Sequence, residues 1–454
     1  MITIDMKNHL NILLAAFIVV FTAGFTVSCS DDDLGASIFN TDPSQDNLDR
    51  TQSTFPLDSF IKAEYLEPYN VKFVYRYDDK GTDMTKNLTP ARYDKSVDLA
   101  VLTKYLWYDV YNKVSGGQEF LKSYSPRIIQ LTGSKNYNPS QGTEVLGDAS
   151  SGVKINFYNV NNLDLNDIAM MNEYFFKTMH HEFAHILDQT YIHPTAFNTL
   201  SQGHYDAAGW SDRPDSLSAG SGFTSSYASS STTEDWAETM ANYITRDTVS
   251  WHNLLNTASY DWESYELGKS SDYNDSLRNY NNAQPNVKYV DNGNGKKDTI
   301  YYFSGKNKER DSIYYNLRVH GVSAQEVMGY LKTTTSGKYN IYRKQIARDA
   351  NGLPIPTADW KLNYTHNSGI NGKDVILQKV EFVRSYLKEH YNLSLDGLRK
   401  EVQTRTYVTN ADGSFVYDRF GNVVNKLTYA QSDGTTLIDE LRQQVYRFNS
   451  LIQK

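Results

Sequence analysis

The chain has 454 residues, 13% of them aromatic, and a formal net charge of −8 at pH 7. This length lets one large domain or two ordinary domains bury a core, and the aromatic content excludes an intrinsically disordered chain. The negative charge and the lack of a basic stripe in the sequence exclude the electrostatic footprint of a protein that binds nucleic acid.

The first residues have the pattern of a secretion signal. Lys7 precedes an apolar run over residues 10–27, which gives a short basic region followed by a hydrophobic one. A transmembrane helix is the alternative interpretation, because a run of this length could span a bilayer. The small residues before Cys29 look like the cleavage box of a bacterial lipoprotein, with Thr26 in place of the usual leucine.

Cys29 is the only cysteine of the sequence, which excludes an internal disulfide. Its position predicts lipidation by acyl chains such as palmitate, which would anchor the protein to a membrane without spanning it. Aspartates at 31–33 resemble the signal that sends such lipoproteins to the outer face of the outer membrane. We therefore predict a signal peptide over residues 1–28, a tether over 29–52, and a lipid-anchored outer-membrane location facing the cell exterior.

Helical spacing and strand-like alternation follow each other in the first half of the mature chain. The predicted helices and strands cover residues 57–67 (helix), 71–77 (strand), 93–114 (helix), 127–132 (strand) and 153–158 (strand). A further helix is predicted from Asn166 to about Gln189. This order indicates a mixed α and β lobe that leads into a mainly helical one.

Residues 266–371 are rich in Asn, Tyr, Lys, Asp and Ser, and we interpret them as an insertion. Two strand signals flank the Asp-Asn-Gly-Asn-Gly run at 291–295, which predicts a hairpin turn. A calcium loop is the alternative interpretation of this run, but glycines occupy two positions where carboxylates are needed. Residues 372–454 return to helical spacing and are predicted to complete a catalytic domain that begins at residue 53.

The strongest chemical signal is His181-Glu182-Phe183-Ala184-His185. Residues four apart share a helix face, so both imidazoles can reach one metal ion, with Glu182 beside it. Zinc with three protein ligands keeps a position for water and lowers the pKa of that water, which predicts Glu182 as general base and acid. The alternative is a surface helix with a chance pattern, and the apolar periodicity around the motif argues against it.

The strand over 153–158, which precedes this helix, is expected to be the sheet edge to which an extended substrate adds.

A third ligand is required, and the sequence offers several candidates. Asp188 and Tyr191 stand where a metzincin has glycine and histidine, which excludes that class. His193, His204 and Asp206 are possible ligands that lie in no motif of their own.

We favour Glu234 as the third ligand. Glu234 and Glu238 lie four apart on a predicted second helix, so the first can bind zinc while the second orients a ligand histidine. The alternative is a capping box over residues 231–234, in which Glu234 would bond backbone amides.

Together these residues resemble the glutamate-ligand zincins, specifically the substrate import-associated zinc metallohydrolase lipoproteins. The run from Ser226-Tyr227 to Glu234-Asp235-Trp236-Ala237-Glu238 is also similar to the catalytic domain of anthrax lethal factor. The resemblance to the lipoproteins covers about 250 residues on our reading, and it leaves out residues 270–370 and the tail beyond Thr406.

The resemblance implies an α+β, zincin-like metalloprotease fold and one zinc ion per chain, held by His181, His185 and Glu234. It further implies a role for Tyr227 beside the zinc, where its phenol would assist the developing oxyanion. A peptide or protein substrate, a TonB-dependent receptor and its surface binding lipoprotein are the partners that it implies. His180 points to another helix face and is expected to have a structural role or to support a ligand residue.

The alternative function belongs to a different class: a non-catalytic surface lipoprotein that binds nutrients through its Tyr- and Asn-rich insertion. Such a binder has no need of an intact Glu182, so the enzyme is the favoured interpretation.

Overall fold

The computed structural model describes residues 48–77, 86–138, 143–145, 147–150 and 153–452. The predicted signal peptide, Cys29 and most of the tether lie outside these residues. The chain divides into two compact units, Met1–Gln52 and Ser53–Lys454. Among the residues described, none of the helices combines the length and the hydrophobicity that crossing a bilayer requires.

The second unit is built from helices that surround small sheets. Its described α-helices are α1 (Phe55–Ile61 and Glu67–Tyr69, joined by a π-type turn at Lys62–Leu66), α2 (Tyr93–Thr103 and Asp109–Ser115, joined by a π-type turn at Lys104–Tyr108), α3 (Glu119–Tyr124), α4 (Ile168–Met171 and Lys177–Thr190, joined by a π-type turn at Asn172–Phe176), α5 (Thr195–Thr199), α6 (Asp215–Gly220), α7 (Thr232–Thr245), α8 (Thr248–Ala258), α9 (Ser270–Asn282), α10 (Lys308–Val319), α11 (Ala324–Met328), α12 (Gly372–Tyr391), α13 (Leu395–Thr406) and α14 (Leu437–Tyr446).

Short 3-10 turns lie at Val160–Asn162, Tyr227–Ser230 and Arg447–Leu451. The described strands are β1 (Lys72–Val74), β2 (Ile128–Leu131), β3 (Asn136–Asn138), β4 (Thr143–Val145), β5 (Gly147–Ser150), β6 (Lys154–Phe157), β7 (Trp262–Leu267), β8 (Asn286–Asp291), β9 (Lys297–Tyr302), β10 (Tyr330–Thr333) and β11 (Tyr339–Lys344).

The main sheet has the strand order β1-β2-β6-β5. Strands β1, β2 and β6 run parallel, while β5 pairs antiparallel with β6. Helices α2 and α3 lie between the parallel strands β1 and β2, whereas strands β3, β4 and β5 lie between the parallel strands β2 and β6. The α+β class predicted from the sequence is confirmed.

The expectation that residues 153–158 form the sheet edge is wrong, because β6 lies between β2 and β5. The edge next to it is β5, whose sequence Gly-Asp-Ala-Ser has no apolar alternation. Such a segment gives no strand signal on its own, since its strand character comes from pairing with β6.

The main hydrophobic core lies between this sheet and the helices α1, α2, α4, α7, α12 and α13. Trp107, Phe183 and Trp236 are among its largest fully buried side chains. Phe183 projects from α4 and packs edge-to-face on Trp107, with ring centroids 4.9 Å apart. The motif helix is therefore fixed from behind by aromatic packing.

The predicted insertion has a small core of its own. Side chains from α9, α10 and α11 bury Tyr280, Leu317 and Val327 against each other. A three-stranded antiparallel sheet in the order β10-β11-β7 lies beside them. Strand β7 begins at Trp262, four residues before the predicted start of the insertion at residue 266. The sheet of the insertion therefore includes residues that we assigned to the preceding catalytic domain.

The insertion leaves and rejoins the main body at one place. The buried carboxylate of Asp261 accepts hydrogen bonds from the backbone N–H groups of Asn367 and Ser368, both at 2.6 Å. The predicted hairpin is present as β8 and β9, which turn at glycines with positive φ. Tyr289 and Tyr301 of this hairpin are about two-thirds exposed.

Helices in the C-terminal part follow the predicted spacing. Helix α12 ends at Tyr391, and the left-handed φ of 50° at the next residue, Asn392, stops the helix. Helix α14 ends at Tyr446, and the chain continues as a 3-10 turn to Leu451.

Candidate active site

Two helices carry the predicted ligands. On α4, His181 and His185 are one turn apart and project from the same face. On α7, the Ser231 hydroxyl caps the helix by accepting a hydrogen bond from the backbone N–H of Glu234. The Glu234 carboxylate is thereby free to turn toward α4, so Glu234 is part of a capped first turn without itself serving as the cap.

The three candidate ligand atoms form a compact triangle. His181 Nε2 lies 3.1 Å from His185 Nε2 and 3.0 Å from Glu234 Oε2, and His185 Nε2 lies 3.3 Å from Glu234 Oε2. Atoms bound to tetrahedral zinc at its usual bond lengths are roughly 3.3 Å apart. Two imidazole nitrogens at 3.1 Å also need a proton or cation between them. The residues therefore fit zinc in both size and donor type.

Glu238 lies directly behind His181. Its Oε1 is 2.9 Å from His181 Nδ1, and its side chain is 1% exposed. Lys177 Nζ lies 3.1 Å from the same oxygen, while the Ser225 hydroxyl and the Asn242 amide donate to Oε2. This fixed carboxylate orients the imidazole so that Nε2 faces the other two ligand atoms.

The site holds negative charge that a cation would neutralise. Burial opposes the charged form of His181, but hydrogen bonds to Glu234 and Glu238 outweigh it and raise the pKa of His181 to about 10. Burial alone would raise the pKa of Glu234, yet hydrogen bonds from His181 and His185 hold that pKa well below its usual range. A proton on His181 therefore supplies the positive charge that a bound metal ion would otherwise supply to these carboxylates.

Glu182 is buried beside the ligands, with 8% of its surface exposed. Its negative charge helps to raise the pKa of both His181 and Tyr227.

Tyr227 lies in the 3-10 turn before α7, with its ring centroid 5.8 Å from that of His181. Burial raises the pKa of Tyr227, and the charges of Glu234 and Glu182 raise it further. The phenol therefore stays protonated and can donate a hydrogen bond.

A cleft of about 1250 Å³ opens next to the site. It meets the site at Lys177, Ser225 and Tyr227, and it extends over α8 to the C-terminal segment 418–429. The volume is large enough for an extended segment of a peptide.

The structure places the other histidines and acids elsewhere. His180 is fully buried, shares a 3.0 Å hydrogen bond with the Tyr111 hydroxyl, and burial lowers its pKa to about 3. Both ring nitrogens of His193 are bonded, to Asp188 and to Asn198. Asp206 accepts a hydrogen bond from the Gly209 N–H. Among the described residues, the group able to hold a metal ion consists of His181, His185 and Glu234.

Three supporting residues were missed in the sequence. Lys177 precedes His181 by four positions on the same helix, so its spacing could have revealed it. Ser225 gave no signal of its own. Lys379 on α12 is 0% exposed and lies 2.6 Å from the equally buried Asp235, the neighbour of Glu234. This ion pair joins α12 to the first turn of α7.

A sequence profile of the family described as "Putative zinc-binding metallo-peptidase" matches residues 50–295, more than half of the chain. A solved structure of a "putative zinc-binding metallo-peptidase" from Bacteroides caccae ATCC 43185 is 26% identical to this chain. The similarity covers 77% of this chain and 91% of that one, with a TM-score of 0.47. No curated protein matches this chain.

Proposed function

Because the chain belongs to the family of putative zinc-binding metallopeptidases, we propose that it is a glutamate-ligand zincin that hydrolyses a peptide bond in a peptide or protein substrate. The observation that carries the proposal is the triangle of His181 Nε2, His185 Nε2 and Glu234 Oε2, with edges of 3.0 to 3.3 Å. Two nitrogens and one carboxylate oxygen are the ligand set of a catalytic zinc site with an open position.

One zinc ion per chain, held by these three residues, would supply Lewis acidity to a water molecule and to the substrate carbonyl. Glu182 takes the proton of the attacking water and passes it to the leaving amine. The Tyr227 phenol donates a hydrogen bond to the carbonyl oxygen as negative charge develops there. Glu238 accepts the Nδ1 proton of His181 and keeps its ring in the ligating orientation.

The substrate would bind as an extended strand. Among the described strands, β5 pairs on one side with β6 and has no partner on its other side. The same strand packs against α4, which carries the motif. We expect a peptide to add to this free edge by backbone hydrogen bonds, close to Glu182.

Zinc content and chelation test this function on the purified chain. We expect about one zinc per chain by metal analysis, cleavage of members of a peptide library, loss of cleavage on dialysis against a chelator, and its return when zinc is added. A zinc-bound chain that cleaves no library member would instead support a surface binding protein. A chain without zinc would contradict the proposal altogether.

We further propose that Cys29 is lipidated, that the protein is anchored in the outer membrane facing outward, and that it works in nutrient import beside a TonB-dependent receptor and its surface binding lipoprotein. The support is the sequence around Cys29 and the resemblance to import-associated lipoproteins. Replacing the lipidated thiol removes the acyl chains that hold the protein to the bilayer. We expect Cys29→Ser to leave the membrane fraction, while the matched control Ser30→Ala stays there. Equal fractionation of both variants would contradict the anchor.

A further inference from the structure

A loop links the insertion to the tyrosine of the site. Residues 206–216, which we call the bridge segment, run from the loop after α5 into the first residues of α6 and contact the insertion on one side. On the other side they contact the 3-10 turn Tyr227–Ser230. The position of this loop gives the insertion a physical connection to the site.

Asp212 makes the contacts with the insertion. Its carboxylate accepts hydrogen bonds from the backbone N–H of Thr335, at 2.8 Å, and from the Thr335 hydroxyl, at 3.0 Å. Its backbone carbonyl accepts from Lys332 Nζ at 2.8 Å and from the Tyr342 hydroxyl at 3.2 Å. These donors belong to β10, β11 and the turn between them, so one residue is held by an entire hairpin of the insertion.

The other side of the bridge segment holds the turn that carries Tyr227. The Trp210 ring packs edge-on against the Tyr227 ring, with centroids 4.8 Å apart. The Asp215 carboxylate accepts a hydrogen bond from the Ser226 N–H at 2.8 Å, and the Asp206 N–H donates to the Ser229 carbonyl at 2.7 Å. Within the turn, the Ser225 hydroxyl accepts a hydrogen bond from the Ala228 N–H at 3.1 Å, so the contacts of the bridge segment act together with this bond to place the turn.

We propose that the insertion braces the active site through the bridge segment, with Asp212 as a positioning residue for the Tyr227 phenol. The inference rests on the proposed function for the role of Tyr227, and the brace itself rests on the contacts alone. A phenol that moves by about 1 Å loses its alignment with the developing oxyanion, which costs up to about 10²-fold in rate. The insertion thus contributes to turnover without touching the substrate.

The test compares Asp212→Ala with Asp212→Asn and with a matched control. Asparagine keeps an oxygen that can accept from the Thr335 N–H, so it should restore most of the function. Lys338→Ala is the control, because it removes an exposed ion pair with Glu266 from the same turn between β10 and β11 and leaves the donors to Asp212 in place. Thr335→Val removes one of the two carboxylate contacts and gives a milder change that preserves folding.

Two readouts are measured on the full chain: amide hydrogen exchange of the peptide covering residues 225–230, and kcat and KM on a cleaved peptide. In Asp212→Ala we expect faster exchange at 225–230 and a kcat about tenfold lower, with KM and zinc content unchanged. Thr335→Val should shift both readouts in the same direction by less. Asp212→Asn and Lys338→Ala should resemble the wild type.

The exchange readout does not require activity, which separates the brace from the proposed function. If the wild type cleaves no peptide, the proposed function fails while the exchange data still decide whether the brace exists. Unchanged exchange at 225–230 in both Asp212→Ala and Thr335→Val would overturn the brace. Faster exchange with unchanged kcat would overturn the positioning role of Asp212.

Discussion

Glu182→Gln is expected to lower kcat by about 10³-fold or more while zinc remains bound. Glutamine has nearly the shape of glutamate but cannot take a proton from the attacking water or pass it to the leaving amine. The side chain is 8% exposed and does not belong to the ligand triangle, so its replacement should not disturb metal binding. The measurement is kcat on a cleaved peptide, with zinc determined on the same preparation.

Glu389→Gln is the matched control for this variant, because Glu389 is an exposed glutamate on α12 and does not line the cleft beside the site. It should retain the activity of the wild type. A Glu182→Gln protein with near wild-type kcat would show that the proton is transferred by another group, and the mechanism would then be wrong.

Glu234→Ala is expected to weaken zinc binding by more than about 100-fold. Losing a direct ligand should exceed the 10- to 100-fold cost typical of losing a residue that orients one. The variant also removes the carboxylate whose Oε2 lies within 3.3 Å of both imidazoles, leaving two ligands on a single helix. Zinc affinity is measured by competition with a chromogenic chelator.

Glu238→Gln provides the graded comparison. Glu238 contacts His181 through Nδ1 and does not belong to the triangle, so this variant should bind zinc more weakly than the wild type but more tightly than Glu234→Ala. The reverse order would exchange the roles of the two glutamates. Far-ultraviolet circular dichroism without zinc confirms that each variant is folded before the affinities are compared.

The motif helix was predictable because helix geometry is local. Four residues make slightly more than one turn, so the spacing of His181 and His185 already places them on one face. The same holds for Glu234 and Glu238, which point toward α4 from α7. The meeting of the two helices is a different matter, since Glu234 lies 49 positions after His185 and no periodicity reports such a distance. The choice of Glu234 rested on its spacing from Glu238, and the resemblance to glutamate-ligand zincins agrees with it.

The residues and the strand that support the ligands show why part of the site could not be predicted from the sequence. Lys379 lies on the face of α12 that packs into the core, among apolar side chains. The sequence of the helix does not show which negative charge pairs with this lysine. Its partner Asp235 is far away in the sequence, and a buried ion pair is worth keeping only when both charges are in place. Strand β5 was missed for a related reason, because its partner strand rather than its composition makes it a strand.

The hydrogen bonds between Asp261 and the backbone at 367 and 368 indicate whether the insertion could be replaced by a segment of another length. The chain departs and returns at neighbouring points although Asp261 and Asn367 are 106 positions apart. Replacing the excursion by a turn of about ten residues would alter the entropy of loop closure by only about 2 kcal/mol. The path of the main chain through the catalytic domain therefore does not depend on the length of the insertion. Insertions of very different length could join the domain at the same two points without changing the connections between its helices and strands.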